Sequence, residues 1–309
     1  MRRSLLLSCV LIASCIVLAR EAKSHRPAIT GISHVTLYAD DLTKSQQFYT
    51  SLLGWEQVPL GVAASGVRFY ANHLQYVQLV SPPRKGMANR LDCIGFSTED
   101  AEALRKFLAA NGIAVPTAVT TDSNGDRWFQ LKDPEGNRIQ FVQAGTNPLK
   151  PRSSVSAGIS NHINHAGFVV HDRAALDRFY KDLLGFHLYW QGGQSAAHTD
   201  WVMMQVPDGA DWLEYMLYLP ASPSRSELGG ANHFSPGVVS VAELERNLKQ
   251  RGWVPSAQER PPLLGLDGKW QLDLLDPDGT RVEFMEFKPV KVPCCSAYTG
   301  TQPEPSSNW

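Results

Sequence analysis

Ile32-Ser33-His34-Val35-Thr36-Leu37-Tyr38 returns 131 residues later as Ile163-Asn164-His165-Ala166-Gly167-Phe168-Val169. At the same offset, Phe48-Tyr49-Thr50-Ser51-Leu52-Leu53-Gly54 is matched by Phe179-Tyr180-Lys181-Asp182-Leu183-Leu184-Gly185. A third pair, Asp133-Pro134-Glu135-Gly136 and Asp276-Pro277-Asp278-Gly279, lies 143 residues apart, so the second copy carries a net insertion. Self-similarity in a fixed order over this length marks a duplicated domain. The copies occupy 29–145 and 161–288. Between them, 146–160 holds Pro148 and Pro151 among serines and glycines and reads as a linker; 289–309, with four prolines, reads as an irregular tail.

Periodicity gives the elements of each copy. In the second, Ile163 to Val170 alternates as a strand, and Ala174 to Leu184 is a helix with Leu176, Phe179, Tyr180, Leu183 and Leu184 on one stripe. Gly185 suits the helix stop. Strands follow at Asp200–Val206 and Trp212–Leu219; Gly237–Ser240 opens a second series, with Ala242–Gly252 as its helix. Each copy is thus two βαβββ units, and the expected fold is α+β, with concave mixed sheets covered on one face by helices.

Composition narrows the partners. Of 309 residues 43% are apolar and 19% charged, and 29 basic against 30 acidic residues leave a net charge of -1. That describes a core-forming protein without the basic surface of a nucleic-acid binder, so a small molecule is the expected partner. Residues 1–25 read as an export signal: Arg2 and Arg3, an apolar run from Ser4 to Ala19, and small residues near its end. The run is short for a span of about 20 residues. The protein is expected to be periplasmic or extracellular and free of membrane spans after cleavage; lipid anchoring at Cys15 is the alternative. Of five cysteines, Cys93 reads as a core residue, and Cys294-Cys295 could bridge two copies in a homo-oligomer.

Strand alternation selects the candidate site. His165 faces away from Ala166, Phe168 and Val170, and Glu283 faces away from Val282 and Phe284. His233 opens the second unit as His165 opens the first. Two imidazoles and a carboxylate suit a divalent ion with open positions: Fe(II) or Mn(II) first, Zn(II) or Ni(II) as alternatives. His34 repeats His165, but Arg90 and Gln140 stand at the offsets of His233 and Glu283, so the first copy reads as degenerate.

The duplicated βαβββ pattern, the strand-borne histidines and the Asp-Pro-Asp-Gly-x-x-Val-Glu ending resemble the vicinal oxygen chelate superfamily over about Gly31 to Phe287. That group holds glyoxalase I, bleomycin resistance proteins, fosfomycin-modifying thiol transferases and type I extradiol dioxygenases. The resemblance puts His165 and Glu283 on metal-ligand positions, with His233 a few residues early. A two-domain layout whose metal ligands are confined to the C-terminal copy is most similar to an extradiol dioxygenase, acting on a substrate with adjacent oxygens. A glyoxalase-like lyase or isomerase would need a fourth ligand, for which only Glu214 is available, and it reads as solvated or supporting. The extradiol histidine and tyrosine upstream of Asp-Pro-x-Gly are missing: Leu263 to Lys269 has no histidine, and Asp273 holds the tyrosine's place. His198, Tyr215 and Tyr218 are candidate substitutes, with Asp273 as a base. Binding without catalysis, as in bleomycin resistance proteins, is the third expectation.

Overall fold

A computed structural model describes residues 25–60, 66–145, 158–195 and 197–306. The expected export signal therefore lies outside the described residues apart from His25, as does most of the linker. Among the described residues no helix is long and apolar enough to cross a membrane.

The first copy contains β1 (Ile29–Tyr38), α1 (Leu42–Gln47), β2 (Glu56–Pro59), β3 (Val67–Tyr70), β4 (Tyr76–Val80), β5 (Leu91–Thr98), α2 (Ala101–Ala110), β6 (Thr120–Thr121), β7 (Arg127–Lys132) and β8 (Arg138–Gln143). The second contains β9 (Ile163–Val169), α3 (Arg173–Leu176), β10 (His187–Gly192), β11 (Trp201–Gln205), β12 (Trp212–Met216), α4 (Arg225–Ala231), β13 (His233–Val238), α5 (Val241–Gln250), β14 (Leu263–Leu264), β15 (Trp270–Leu275) and β16 (Arg281–Glu286). Each copy builds one eight-stranded mixed sheet, ordered β2-β3-β4-β1-β5-β8-β7-β6 and β10-β11-β12-β9-β13-β16-β15-β14. The first strands of the two units pair antiparallel at the middle of each sheet, and each unit's last full strand returns parallel to its first. The fold is α+β, with four βαβββ units.

The helix expected at Ala174–Leu184 is α-helical only over α3 and continues as a π-helical segment, Asp177–Leu183; α1 does the same over Phe48–Leu52. Asp41 and Asp172 cap the two starts by accepting backbone N–H bonds, and Gly54 (φ 73°) and Gly185 (φ 81°) supply the left-handed stop. Strand β13 begins at His233, earlier than the expected Gly237. Pro236 reads as a breaker in sequence, but the ladder to β9 shifts register there, and such an irregularity tolerates a residue that cannot donate.

The first helical segment of each copy packs on its own sheet and also reaches the other copy. Tyr49 packs against Phe234 of β13, and Tyr180 against Phe96 of β5. The Tyr49 hydroxyl donates to Asp276 (3.2 Å) and the Tyr180 hydroxyl to Asp133 (3.3 Å), so each helical tyrosine reaches the Asp-Pro-x-Gly turn of the other copy. The next acid in each turn repeats the exchange: Asp40 N donates to Asp278 (3.0 Å) and His171 N to Glu135 (2.9 Å). One continuous apolar core spans both copies. The tail forms no regular element but is tied down: Trp190 Nε1 donates to the Cys294 carbonyl, and Ser306 N to Asn161. Cys294 and Cys295 pair with each other, which corrects the expectation of a bridge between copies; the left-handed backbone at Cys295 (φ 76°) accommodates the adjacent pair.

Tyr49→Phe and Tyr180→Phe are each expected to lower unfolding free energy in urea titrations by about 1 kcal/mol, the usual net worth of one hydrogen bond. Unchanged stability in both variants would show that the exchange is incidental.

Candidate metal centre

Four strands deliver four side chains to the concave face of the second sheet. His165 from β9, Glu214 from β12, His233 from β13 and Glu283 from β16 are all buried, and one ligand atom from each lies within 4.8 Å of all the others. Alternation explains the set: Ala166, Phe168, Leu213, Tyr215, Val282 and Phe284 go to the shared apolar core, so the residues between them face the other way. His165 Nε2 lies 3.1 Å from His233 Nε2 and 3.1 Å from Glu283 Oε2, and His233 Nε2 lies 3.1 Å from Glu283 Oε2. Glu214 Oε2 is 3.2 Å from His233 Nε2 and 3.7 Å from His165 Nε2. Ligands at right angles on an ion with bonds of roughly 2.1 Å stand about 3.0 Å apart, so these separations fit one shared cation.

The supporting contacts orient the donors. His233 Nδ1 lies 2.8 Å from the Ala231 carbonyl, in place to donate to it and turn Nε2 towards the cluster, and Arg281 Nη2 stands 3.0 Å from both ring nitrogens. His165 stacks on Trp212 at 4.7 Å, while its Nδ1 is buried without a hydrogen-bond partner among the described residues. Gly167 makes room for the second ring: a Cβ there would lie 2.0 Å from His233 Cε1. Arg281 Nη1 holds Glu283 Oε1 (3.2 Å) and stands 3.7 Å from Asp273. Burial alone would raise the pKa of Glu283, but Arg281 and the two imidazoles hold it well below the usual carboxylate range. Burial lowers the pKa of His165 against the pull of Glu283. Burial and Arg281 also oppose charge on His233, yet Glu214 and Glu283 outweigh them and raise it. Two buried carboxylates beside one guanidinium thus call for a positive charge between the imidazoles, a proton or a metal ion, and the donor set fits a divalent metal.

Several expectations need correction. Glu214 is not solvated at a strand start; it is the middle residue of β12 and forms the fourth corner. Tyr215, its neighbour, points to the opposite face into the apolar core, 5.6 Å from the Phe168 ring, so it cannot serve this centre. His198 is exposed in the β10–β11 loop and does not line the cavity over the cluster. That cavity, of about 280 Å³, is walled by Trp190, Trp201, Met203 and Leu264 and reaches Glu214 and Glu283. Asp273 pairs with Glu283 across the β15–β16 ladder and faces a neighbouring cavity together with Tyr218; Arg281 lines both spaces. Sequence reasoning missed Arg281, although it lies two residues before Glu283 on the same strand and hence on the same face.

Register also corrects the comparison of the copies. Glu214 lies opposite Gly167, and Gln78 opposite Thr36. His233 lies opposite Gly167, and Cys93, not Arg90, opposite Thr36. Arg90 instead is buried against Asp40 and Asp278. The first copy therefore offers His34, Gln78, Cys93 and Gln140 where the second has His, Glu, His and Glu.

The family model for the Glyoxalase/Bleomycin resistance protein/Dioxygenase superfamily matches residues 31–141 and 162–284. No curated protein matches the chain by sequence. Among solved structures, an extradiol ring-cleaving dioxygenase from B. fuscum aligns with a TM-score of 0.64 and 18% identity over 85% of this chain and 73% of its own. The Mn(II)-bound glyoxalase from Novosphingobium aromaticivorans gives 0.60 and 20% over 84% and 83%. The 2,3-dioxygenase LapB from Pseudomonas sp. KL28 gives 0.62 and 15% over 91% and 96%.

Gly167→Ala is expected to displace the His233 ring and weaken metal binding about 10–100-fold in chelator competition, with the far-ultraviolet circular dichroism retained. Unaltered affinity would mean that His233 is not a donor. In the first copy, burial, with the Arg68 charge second, depresses the His34 pKa from 6.5 to about 3. The native state therefore binds fewer protons than the unfolded chain between those values. The stability this contributes is complete above pH 6.5 and is lost progressively as pH falls towards 3, by up to about 1.4 kcal/mol per pH unit. His34→Gln should flatten that part of the stability–pH curve, measured by urea titration from pH 7 to 4.

Proposed function

From the premise that this chain belongs to the Glyoxalase/Bleomycin resistance protein/Dioxygenase superfamily, we propose that it is a metal-dependent enzyme of the glyoxalase kind, moving a proton on a small substrate with adjacent oxygens. The carrying observation is Glu214, which joins His165, His233 and Glu283 as a fourth donor 3.2 Å from His233. Two imidazoles and two carboxylates suit Mn(II) or Fe(II), with Zn(II) or Ni(II) as alternatives. A divalent ion held by these four would polarise the substrate's two oxygens and acidify the C–H of the hydroxyl-bearing carbon next to the carbonyl.

The chain's own residues supply the rest. Arg281 holds Glu283 through Oε1, whereas Glu214 has no guanidinium partner among the described residues. Glu214, on leaving the ion as substrate binds, would take the proton from the hydroxyl-bearing carbon and return it to the neighbouring carbonyl carbon. Trp190, Trp201 and Met203 wall the cavity against water, and Arg260 at its side receives substrate charge. The site residues assigned from sequence as acid or base, His198 and Tyr215, have no part in this scheme. Asp273 acts through Arg281. We also propose export, supported by the sequence of residues 1–25 and by a disulfide of the kind that persists in oxidising compartments.

Extradiol ring cleavage is the second reading, favoured by the alignment over both copies with two dioxygenases. Purified protein loaded anaerobically with each metal separates the two. One ion per chain is expected, lost in His165→Ala and Glu283→Ala, with Glu214→Gln lowering affinity about tenfold or more. Isomerisation of a 2-oxoaldehyde–thiol adduct without oxygen uptake supports the proposal. Oxygen consumption with catechols, retained in Glu214→Gln, would replace it with the second reading, and a metal-free chain would sink both.

A further inference from the structure

The first copy has its own cavity on the concave face, about 650 Å³, at the place where the second copy has its centre. Gln78 and Gln140, the register counterparts of Glu214 and Glu283, line it, as does Tyr76, which stacks on His34 at 4.8 Å as Trp212 stacks on His165 at 4.7 Å. Neutral amides are poor donors for a metal. A fixed cation stands here instead: Arg68, opposite Gln78 as Met203 is opposite Glu214. Its guanidinium lies 4.4 Å over the Tyr76 ring, and its Nε donates to Gln78 Oε1 at 3.0 Å.

That guanidinium is under-coordinated. Its side chain is only 12% exposed, Nη1 is buried and makes no hydrogen bond among the described residues although the Tyr70 hydroxyl stands near the guanidinium, and Nη2 reaches Asp122 Oδ2 only at 3.5 Å. A buried donor without an acceptor costs free energy that a ligand oxygen would recover. Charge limits which oxygen. Asp122 already balances Arg68, and Asp126 also lines the space, so a carboxylate ligand would add a third negative charge. A neutral carbonyl satisfies Nη1 without that penalty, and an adjacent N–H finds an acceptor in Asp122 Oδ2. Trp128, Val58 and Leu60 provide flat and apolar walls.

We propose that this cavity is a second, metal-independent binding site for an uncharged planar aromatic amide, a carboxamide or lactam, with its carbonyl on Arg68 and its ring against Trp128. The site does not depend on the metal centre or on the reaction assigned to it.

Benzamide is the probe, followed by fluorine NMR of the full chain labelled with 5-fluorotryptophan, with the Trp128 resonance assigned from Trp128→Phe. The Trp128 signal should move saturably with a Kd of about 0.1–1 mM, typical for so small a molecule. Benzoate should bind about tenfold more weakly or worse, and Arg68→Met, which installs the residue found at the counterpart Met203, should weaken benzamide about tenfold. The benzamide–benzoate comparison needs only the wild-type chain, so it stands even if the variant fails to fold. No movement of Trp128, movement confined to Trp190 and Trp201, or benzoate binding as tightly as benzamide would each overturn the proposal.

Discussion

The structure depends on the reciprocal reach of two tyrosines. Tyr49 and Tyr180 lie in the shared core against rings of both copies, Tyr49 on Phe69 and Phe234 and Tyr180 on Phe168 and Phe96, and each donates to the aspartate of the other copy's Asp-Pro-x-Gly turn. Burial raises the pKa of both aspartates, that of Asp276 to about 6, which reflects how deep the joints lie. Phe234 of β13 packs on Tyr49 and Trp55, so the strand that carries His233 is backed by residues from the other copy. Duplication thus produces one cooperative body with two concave faces, not two independent beads.

Pinning the convex side leaves the concave side free to vary. Strand alternation separates the two functions residue by residue: Phe234 and Val282 are spent on the shared core, while His233 and Glu283 beside them face the cavity. The joint at the pseudo-symmetric axis is built the same way. Gln75 accepts from Ile163 N (2.9 Å) and Asp211 accepts from Ile32 N (2.8 Å), counterparts on the two copies with different chemistry. The backbone of one copy is therefore a template on which the other copy's side chains can be exchanged.

Most of this frame was legible because the repeat is strongest where the core is deepest. His34/His165, Tyr49/Tyr180 and Asp133/Asp276 sit in the motifs that make the exchange, and packing constrains them in both copies. The site was legible only where one alternation rule sufficed, as for His165 and Glu283. Glu214 stood out as an available donor but read as solvated at the start of its strand, and the repeat could not correct this because the offset drifts along the chain. It is 131 residues at β1/β9, 136 between Gln78 and Glu214, 140 between Cys93 and His233, and 143 at the last strands. Each step is an insertion in a connection that sequence comparison cannot place without the ladder. Tyr215 failed for a simpler reason: as the neighbour of Glu214 on a strand, it must face the other way.

Two corners that are acids in the second copy are amides in the first, on the same backbone frame. The second copy buries two carboxylates against one guanidinium, a balance that a proton or a metal ion between the imidazoles completes; the first has amides at both positions and a guanidinium from inside. Replacing Glu by Gln at the two corners removes the charge that would make an empty centre costly, and Arg68 over Tyr76 occupies the space with a charge that Asp122 balances. The two faces are alternative solutions to one electrostatic problem, a concave polar surface enclosed by apolar strands. Only the second solution leaves a place for an exchangeable ion, and that is why the chemistry is assigned to the C-terminal copy.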